Sequence, residues 1–257
     1  MPQNYVIGPG DNLIVQLYGK RNVEYKLVVT RDGNILVPEY GPVKVAGLNF
    51  DEAEQLITDG FERRVIGARA VVTMGQLRTI QIRLAGDVVQ PGIYTVGGLS
   101  TLIDALLTTG GVRNTGSLRN IQLIRGGQRI ASLDLYDLLL RGNSGEDIYL
   151  AHNDTLFVPA LGPVVYVGGE VQRPAIYELR VETTVGQVVD MAGGLLPTAS
   201  LADSHIERIQ GNGSRTLVDF SNGGSDSQIR KARMQNGDML RVLELEDQLD
   251  DVVLLSG

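Results

Sequence analysis

The sequence predicts an α+β protein in three consecutive parts: a β-rich N-terminal domain with one helix, then two small modules, each with one helix on a mixed sheet. Three observations carry this reading. The chain repeats itself with a period of 83 residues; short alternating apolar runs are separated by Gly, Pro, Asn and Asp turns; and few segments have helical spacing, each with a cap at its start. Laying Leu84–Leu118 over Val167–Leu201 without a gap gives 11 identities in 35 positions. They are Gly86/Gly169, Val88/Val171, Pro91/Pro174, Ile93/Ile176, Tyr94/Tyr177, Thr101/Thr184, Gly110/Gly193, Gly111/Gly194, Thr115/Thr198, Ser117/Ser200 and Leu118/Leu201. Average composition would give roughly two. A module of this size used twice points toward assembly or binding more than toward a single catalytic centre.

In the N-terminal part, Gly8-Pro9-Gly10-Asp11 reads as a turn, and Leu13, Val15 and Leu17 alternate as one face of the strand that follows. Asp32-Gly33 is a favoured hairpin dipeptide, with Leu27–Val29 entering and Ile35–Val37 leaving; Pro38 and Gly41-Pro42 then close the segment. Asn49 caps a helix with Glu52 at its third position, and Phe50, Ala53, Leu56 and Ile57 carry helical spacing to about Arg64. Ala70–Met74 is a buried strand by composition, and this part ends near residue 79.

Each module opens with a strand, Ile80–Leu84 or Val164–Val167, followed by a turn at Gly86-Asp87 or Gly169-Glu170 and a second strand begun by Pro-x-Ile-Tyr. Thr101 caps a helix with Asp104 three residues on, and Thr184 does so with Gln187. Leu102, Ile103, Leu106 and Leu107 supply the buried face of the first of these helices, and Gly110-Gly111 and Gly193-Gly194 end the two. Further strands are predicted at Asn120–Arg125, Arg129–Leu135 and Thr155–Val158, and again at His205–Gln210, Arg215–Phe220 and Met239–Leu243. Gly126-Gly127 and Asn212-Gly213 suit two-residue hairpin loops. One helix on a small mixed sheet, made twice, is a β-grasp pattern. Val252–Gly257 resembles Val164–Gly169, so a third repeat is expected to begin here and the chain is expected to be a piece of a longer protein.

Bulk composition narrows the function. The chain is 43% hydrophobic and 21% charged, as in folded proteins, and its net charge of −7 with no tryptophan argues against nucleic acid as a partner. Without cysteine there are no disulfides, zinc thiolates or thiol nucleophiles. No apolar run approaches the roughly 20 residues of a membrane helix, and the N-terminus lacks the basic and apolar regions of a signal peptide.

The candidate chemistry is sparse. Asp11, Asp154 and Asp238 each precede a strand as Asp-x-Leu. Pairs of carboxylates on a glycan would suggest hydrolysis, but a motif that recurs once per part reads as a turn that sets up strand entry. His152 and His205 fall at different points of the repeat and have no second ligand at metal spacing. The Gly-Gly pairs follow helices, so they are not phosphate loops, and no cofactor is expected. Tyr94 and Tyr177 could stack on sugar rings, but packing beside the proline turn is the preferred reading. Ser221–Ser227 reads as a polar loop and Glu244–Asp251 as an acidic linker.

With Tyr5-Val-Ile-Gly-Pro-Gly-Asp-Asn-Leu, then Asp32-Gly-Asn-Ile-Leu-Val-Pro, then Gly41-Pro-Val-Lys-Val-Ala-Gly-Leu, the chain resembles the polysaccharide export family of bacterial outer-membrane exporters, the Wza-like proteins. Its repeats resemble the soluble-ligand-binding β-grasp (SLBB) modules that follow the export domain. The resemblance implies an export domain over 1–79, SLBB domains over 80–162 and 163–247, and the start of a third repeat over 248–257. It assigns structural roles to Tyr5, Gly8, Pro9, Gly10, Asp11, Asp32, Gly33, Pro38, Gly41 and Gly47. In the modules it assigns them to Gly86, Pro91, Tyr94, Gly110 and Gly111 and to their partners Gly169, Pro174, Tyr177, Gly193 and Gly194. It further implies a non-catalytic, periplasmic, homo-oligomeric wall around a conduit for capsular polysaccharide or exopolysaccharide. An inner-membrane co-polymerase would be its partner, and outer-membrane contact would come only through family segments not found in these 257 residues. The rival reading is a saccharide- or peptidoglycan-binding β-grasp module that forms no conduit.

Overall fold

The computed structural model describes residues 5–19, 22–38, 41–64, 69–145, 147–220 and 225–245. In the N-terminal unit, strand β1 (Asn12–Tyr18) lies between β2 (Val23–Val28) and β5 (Arg69–Met74), antiparallel to both. β3 (Asn34–Val37) and β4 (Gly41–Lys44) form a separate two-stranded ribbon. Helix α1 (Phe50–Arg64) buries Ala53, Ile57 and Phe61, one per turn, against Leu13, Val15, Ile35 and Val72. Its cap is reciprocal: Glu52 N–H donates to Asn49 Oδ1 at 2.9 Å and Asn49 N–H to Glu52 Oε2 at 3.0 Å. Leu56 lies half exposed beside that buried face.

Two expectations fail here. The Asp32-Gly33 turn forms, with Gly33 N–H donating to Thr30 O at 2.8 Å, but it joins strands of different sheets and closes no ladder between 27–29 and 35–37. β2 completes the pairing of β1, and β3 pairs instead with Gly41–Lys44, which was expected only to end the segment. Pro42 is tolerated there because its strand has a neighbour on one side only.

The first module holds β6 (Thr79–Gly86), β7 (Gly92–Gly97), α2 (Leu102–Thr108), β8 (Ile121–Arg125), β9 (Gln128–Leu133), α3 (Leu135–Arg141) and β10 (Thr155–Val158). The second holds β11 (Val164–Gly169), β12 (Ala175–Glu178), α4 (Val185–Met191), β13 (Ala199–Ile209), β14 (Arg215–Asp219), α5 (Asp226–Ile229) and β15 (Met239–Glu244). The sheets run β7-β6-β10-β8-β9 and β12-β11-β15-β13-β14, with the first and last strands of each module adjacent and parallel. Counted within a module, both orders are 2-1-5-3-4, a β-grasp arrangement, and the chain is α+β as the sequence predicts. Each sheet covers its helix with an apolar core, around Leu106, Leu123 and Leu156 in one module and Val188, Ile206 and Leu240 in the other.

The repeat extends to single bonds. Thr101 with Asp104 and Thr184 with Gln187 both form full capping boxes. Gly111 N–H reaches back to Leu106 O and Gly194 N–H to Val189 O, at 2.9 and 3.0 Å, and all four glycines of the two pairs have positive φ. Thr115 donates to Asp87, and Thr198 to Glu170.

Several local expectations are corrected. Leu107 points to solvent, and Ala105 takes its place in the buried face of α2. Leu135 begins a helix instead of ending a strand: Asp134 accepts from Tyr136 N–H at 3.0 Å as its N-cap, and Gly142 closes it in the left-handed region. The loop at Asn212 has three residues, 211–213, because Gln210 N–H pairs with Ser214 O. β13 starts at Ala199, six residues early. Of the expected Ser221–Ser227 loop, 225 caps α5 and 226–227 lie in it, while 221–224 fall outside the described residues. The proposed third repeat and most of the acidic linker also fall outside them. Among the described residues, no helix is long and apolar enough to cross a membrane.

Gly86 and Gly169 cannot be replaced cheaply. Their φ angles are +83° and +86°, and a Cβ on either would press into the carbonyl of Val158 or Val242 on the last strand of the module. Gly86→Ala and Gly169→Ala are each expected to cost about 2–4 kcal/mol, read as a lowered midpoint in urea unfolding. Gly126→Ala, also at positive φ but with open space around it, is expected to cost roughly 1 kcal/mol.

Candidate functional site: buried carboxylates and module joints

Asp11, Asp154 and Asp238 are almost wholly buried, and each stands three residues after a backbone N–H that it accepts: Gly8, Ala151 and Gln235, at 2.9, 2.7 and 2.7 Å. In each case an arginine supplies the counter-charge. Arg125 binds Asp154 with both Nε (2.8 Å) and Nη2 (2.7 Å), and Arg208 binds Asp238 in the same way at 2.8 and 2.7 Å. Arg78 serves Asp11 with Nη1 at 2.8 Å and its own N–H at 2.8 Å, while Tyr5 Oη donates at 2.5 Å. Burial and the Asp11 hydrogen bond push the Tyr5 phenol well above its ordinary value, so it remains a donor. These carboxylates have no free oxygen facing a substrate, and the leucine two residues on, Leu13, Leu156 or Leu240, is 0% exposed. Each carboxylate oxygen is taken by a partner from the fold itself.

The N-terminal motif therefore converges: Tyr5, Gly8, Pro9, Gly10 and Asp11 wrap around Arg78. A Cβ on Gly8 would sit 2.9 Å from the guanidinium carbon. Gly33 and Gly47 both lie just beyond the near end of the β3–β4 ribbon, with separate partners. Gly33 O accepts from Val45 and Ala46, Gly47 N–H reaches Ile7 O, and Lys44 Nζ binds Asp32 O. Pro38 and Gly41 lie apart, at the ribbon's far end. In the modules, Tyr94 and Tyr177 donate to Gln90 O and Arg173 O at 2.9 and 2.6 Å, closing the turns that hold Pro91 and Pro174. His152 Nδ1 accepts from Gln81 N–H, and His205 stands 3.8 Å from Glu207.

Sequence reasoning missed the joints. Arg78 precedes β6 and ties the first module to the N-terminal unit: its carbonyl accepts from Gly98 N–H, and Leu99 packs into the N-terminal core. The equivalent stretch of the second module makes the second joint. Glu182, at the position of Leu99, binds Arg119 of the first module at 2.7 and 3.1 Å. Arg119 also grips Asp134, donates to Glu178 O at 3.0 Å and lies 4.8 Å over the Tyr136 ring. Glu178 accepts from Leu118 and Gly162 N–H, and Tyr136 Oη accepts from Glu178 N–H. Burial alone would raise Glu182, but the Arg119 hydrogen bonds and nearby backbone N–H groups outweigh it and hold its carboxyl down at about 2.

Two predictions follow from these groups. Asp154→Ala takes the acceptor from the Ala151 N–H and the counter-charge from Arg125, whose side chain is 41% exposed and can turn to water, so it is expected to cost about 1–3 kcal/mol in urea unfolding; Asp238→Ala, which strands the more buried Arg208, is expected to cost more. Glu182 has an ordinary value of 4.5 and a folded value near 2, so its stabilisation is complete above pH 4.5 and is lost as pH falls through about 2. Glu182→Gln is expected to flatten that part of the acid-unfolding curve, measured by circular dichroism.

Comparison with known proteins agrees with this architecture. The profile described as "Polysaccharide biosynthesis/export protein" matches residues 1–75, and that of the SLBB domain matches residues 81–133 and 164–219. The chain is 32% identical over 181 residues to the polysialic acid transport protein KpsD of Escherichia coli, covering 69% of this chain and 32% of that protein. It is 31% identical over 202 residues to the EPS I polysaccharide export outer membrane protein EpsA of Ralstonia solanacearum, covering 77% and 53%. The chain thus spans about a third to a half of the length of these curated relatives. With an export domain at its start and SLBB domains after it, the chain belongs to the polysaccharide export family.

Proposed function

We propose that this chain is the periplasmic wall-forming part of an outer-membrane exporter of capsular polysaccharide or exopolysaccharide, and that it is not an enzyme. We divide it into an export domain over 1–79 and SLBB domains over 80–162 and 163–247, with the motif glycines, prolines and tyrosines serving structure. The observation that supports this most is the way the modules are fastened. The same segment of each module, 97–99 or 180–182, locks onto the unit before it through bonds that are largely shielded from water. Such fixed joints suit a scaffold that must keep its shape around a passing polymer; a catalytic cleft between domains would need room to open. The three aspartates weighed as glycosidase candidates, Asp11, Asp154 and Asp238, are each committed to arginine and backbone partners. In the full-length protein, copies assemble as a homo-oligomer, the polymer passes with weak contacts, and an inner-membrane co-polymerase delivers it.

The test is the solution mass by light scattering over a wide concentration range, on this chain and on the full-length protein, together with surface polysaccharide in a deletion strain. Discrete oligomers of the full-length protein and restored surface polymer are expected. A full-length protein that stays monomeric and binds oligosaccharide at micromolar Kd would replace the conduit with the binding-module reading.

A further inference from the structure

The open face of the second module's sheet carries a group of side chains that neither the cores nor the joints use. Strand register sets Ile176 of β12, Tyr166 of β11, Met239 of β15 and Glu207 of β13 side by side in one row, with Gly168 and Arg241 paired in the next. Tyr166 lies down on this face. A Cβ at Gly168 would stand 2.6 Å from its Cε1 and 2.7 Å from its Cζ, so the outer half of the ring fills the space that any other residue at 168 would occupy. That posture breaks the repeat: the same positions of the first module hold Arg83 and Ala85.

Beside the ring, Arg241 Nε binds Glu207 Oε1 at 2.5 Å, with Arg215 at 3.6 Å and His205 at 3.8 Å from the same carboxylate. Glu207 is thus fixed in place while half of the Arg241 side chain remains in water. An aromatic ring lying along a sheet, next to an oriented carboxylate and guanidinium, matches a particular ligand chemistry. A pyranose has one apolar face of C–H groups and a rim of hydroxyls; the first stacks on an aromatic ring, and the second donates to a carboxylate and accepts from a guanidinium. Ile176 and Leu217 at the two ends of the row are exposed and would suit a protein partner, but such a partner would have to bury the Glu207–Arg241 pair with Arg215 and His205 beside it, whereas a glycan leaves these groups in water.

We propose that this face is a glycan-contact site, with Tyr166 stacking on a pyranose unit and Glu207 and Arg241 binding its hydroxyls. The identity of that glycan as the exported polymer rests on the function proposed above; the contact itself does not. A shallow site on an open sheet holds one or two sugar units with millimolar affinity, which lets a polymer move on.

The experiment is amide chemical-shift mapping of this chain titrated with three probes: maltohexaose, cellohexaose and a hyaluronan hexasaccharide. Saturable shifts centred on Tyr166–Gly168, Glu207 and Arg241 with at least one probe are expected. Tyr166→Ala should weaken them about tenfold or more. Gly168→Ala, which keeps the aromatic ring but lifts it, should weaken them too, and Arg83→Ala should leave them unchanged. An unaltered spectrum elsewhere reports that the variants are folded. No shift with any probe, or shifts confined to other surfaces, would overturn the proposal. So would shifts of this face that depend on protein concentration alone, which would make it a contact between copies. Surface polymer in the deletion strain separates the two readings: if wild-type protein fails to restore it, export fails while the mapped contact stands.

Discussion

The structure depends on one interaction made three times: a carboxylate taken out of water at the entrance to a core strand and answered by an arginine. An isolated buried charge is costly enough that such a group would ordinarily be protonated or excluded. Here the cost is offset by a backbone N–H three residues back, which gives the turn its shape, and by a guanidinium that arrives from a distant part of the chain. Local and long-range structure are joined in one group. The turn cannot form fully without the carboxylate, and the carboxylate cannot stay buried without the arginine. The leucine that follows two residues later is placed in the core by the same act.

This also explains which parts were legible from the sequence. Asp-x-Leu, the capping pairs and the glycine pairs are local, so spacing along the chain reveals them. The arginine partners lie 67, 29 and 30 residues away from their aspartates, and nothing local marks them. A signal was nevertheless present. Arg125 and Arg208 are one period of 83 apart in a stretch where little else matches, which is how a residue with one fixed task looks in a duplicated module. The helix α3 was hidden for a different reason: its leucines follow a strand directly, and only Asp134 at its start and Gly142 at its end distinguish it from more strand.

The joints were illegible in principle. A repeat reveals what two modules share, whereas a joint depends on what each module meets, and the two partners differ. The first module meets an apolar core and presents Leu99; the second meets Arg119 and presents Glu182 at the same position. Arg119 has Ala202 at its repeat position. The Tyr166 and Gly168 pair is of the same kind, a departure from the repeat on a face that the common fold leaves free.

Joining the modules by one segment, but with different chemistry, has a physical consequence. The first joint combines Leu99, held in the N-terminal core by the release of water, which is not directional, with one backbone bond that is, from Gly98 N–H to Arg78 O. The second joint is directional. Arg119 is planar, and its donors are shared among Asp134, Glu182 and the Glu178 carbonyl while its face lies on Tyr136, so a rotation that improves one contact breaks another. Stability alone would not require such an arrangement, since a packed hydrophobic joint of similar size is often at least as stable. What the ionic network adds is a single orientation. Each joint thus pairs burial with directional bonds, Leu99 with the Gly98 bond in the first and Tyr136 and Leu140 with the Arg119 network in the second, so both modules are presented to their surroundings in a fixed relation, as the proposed wall would need.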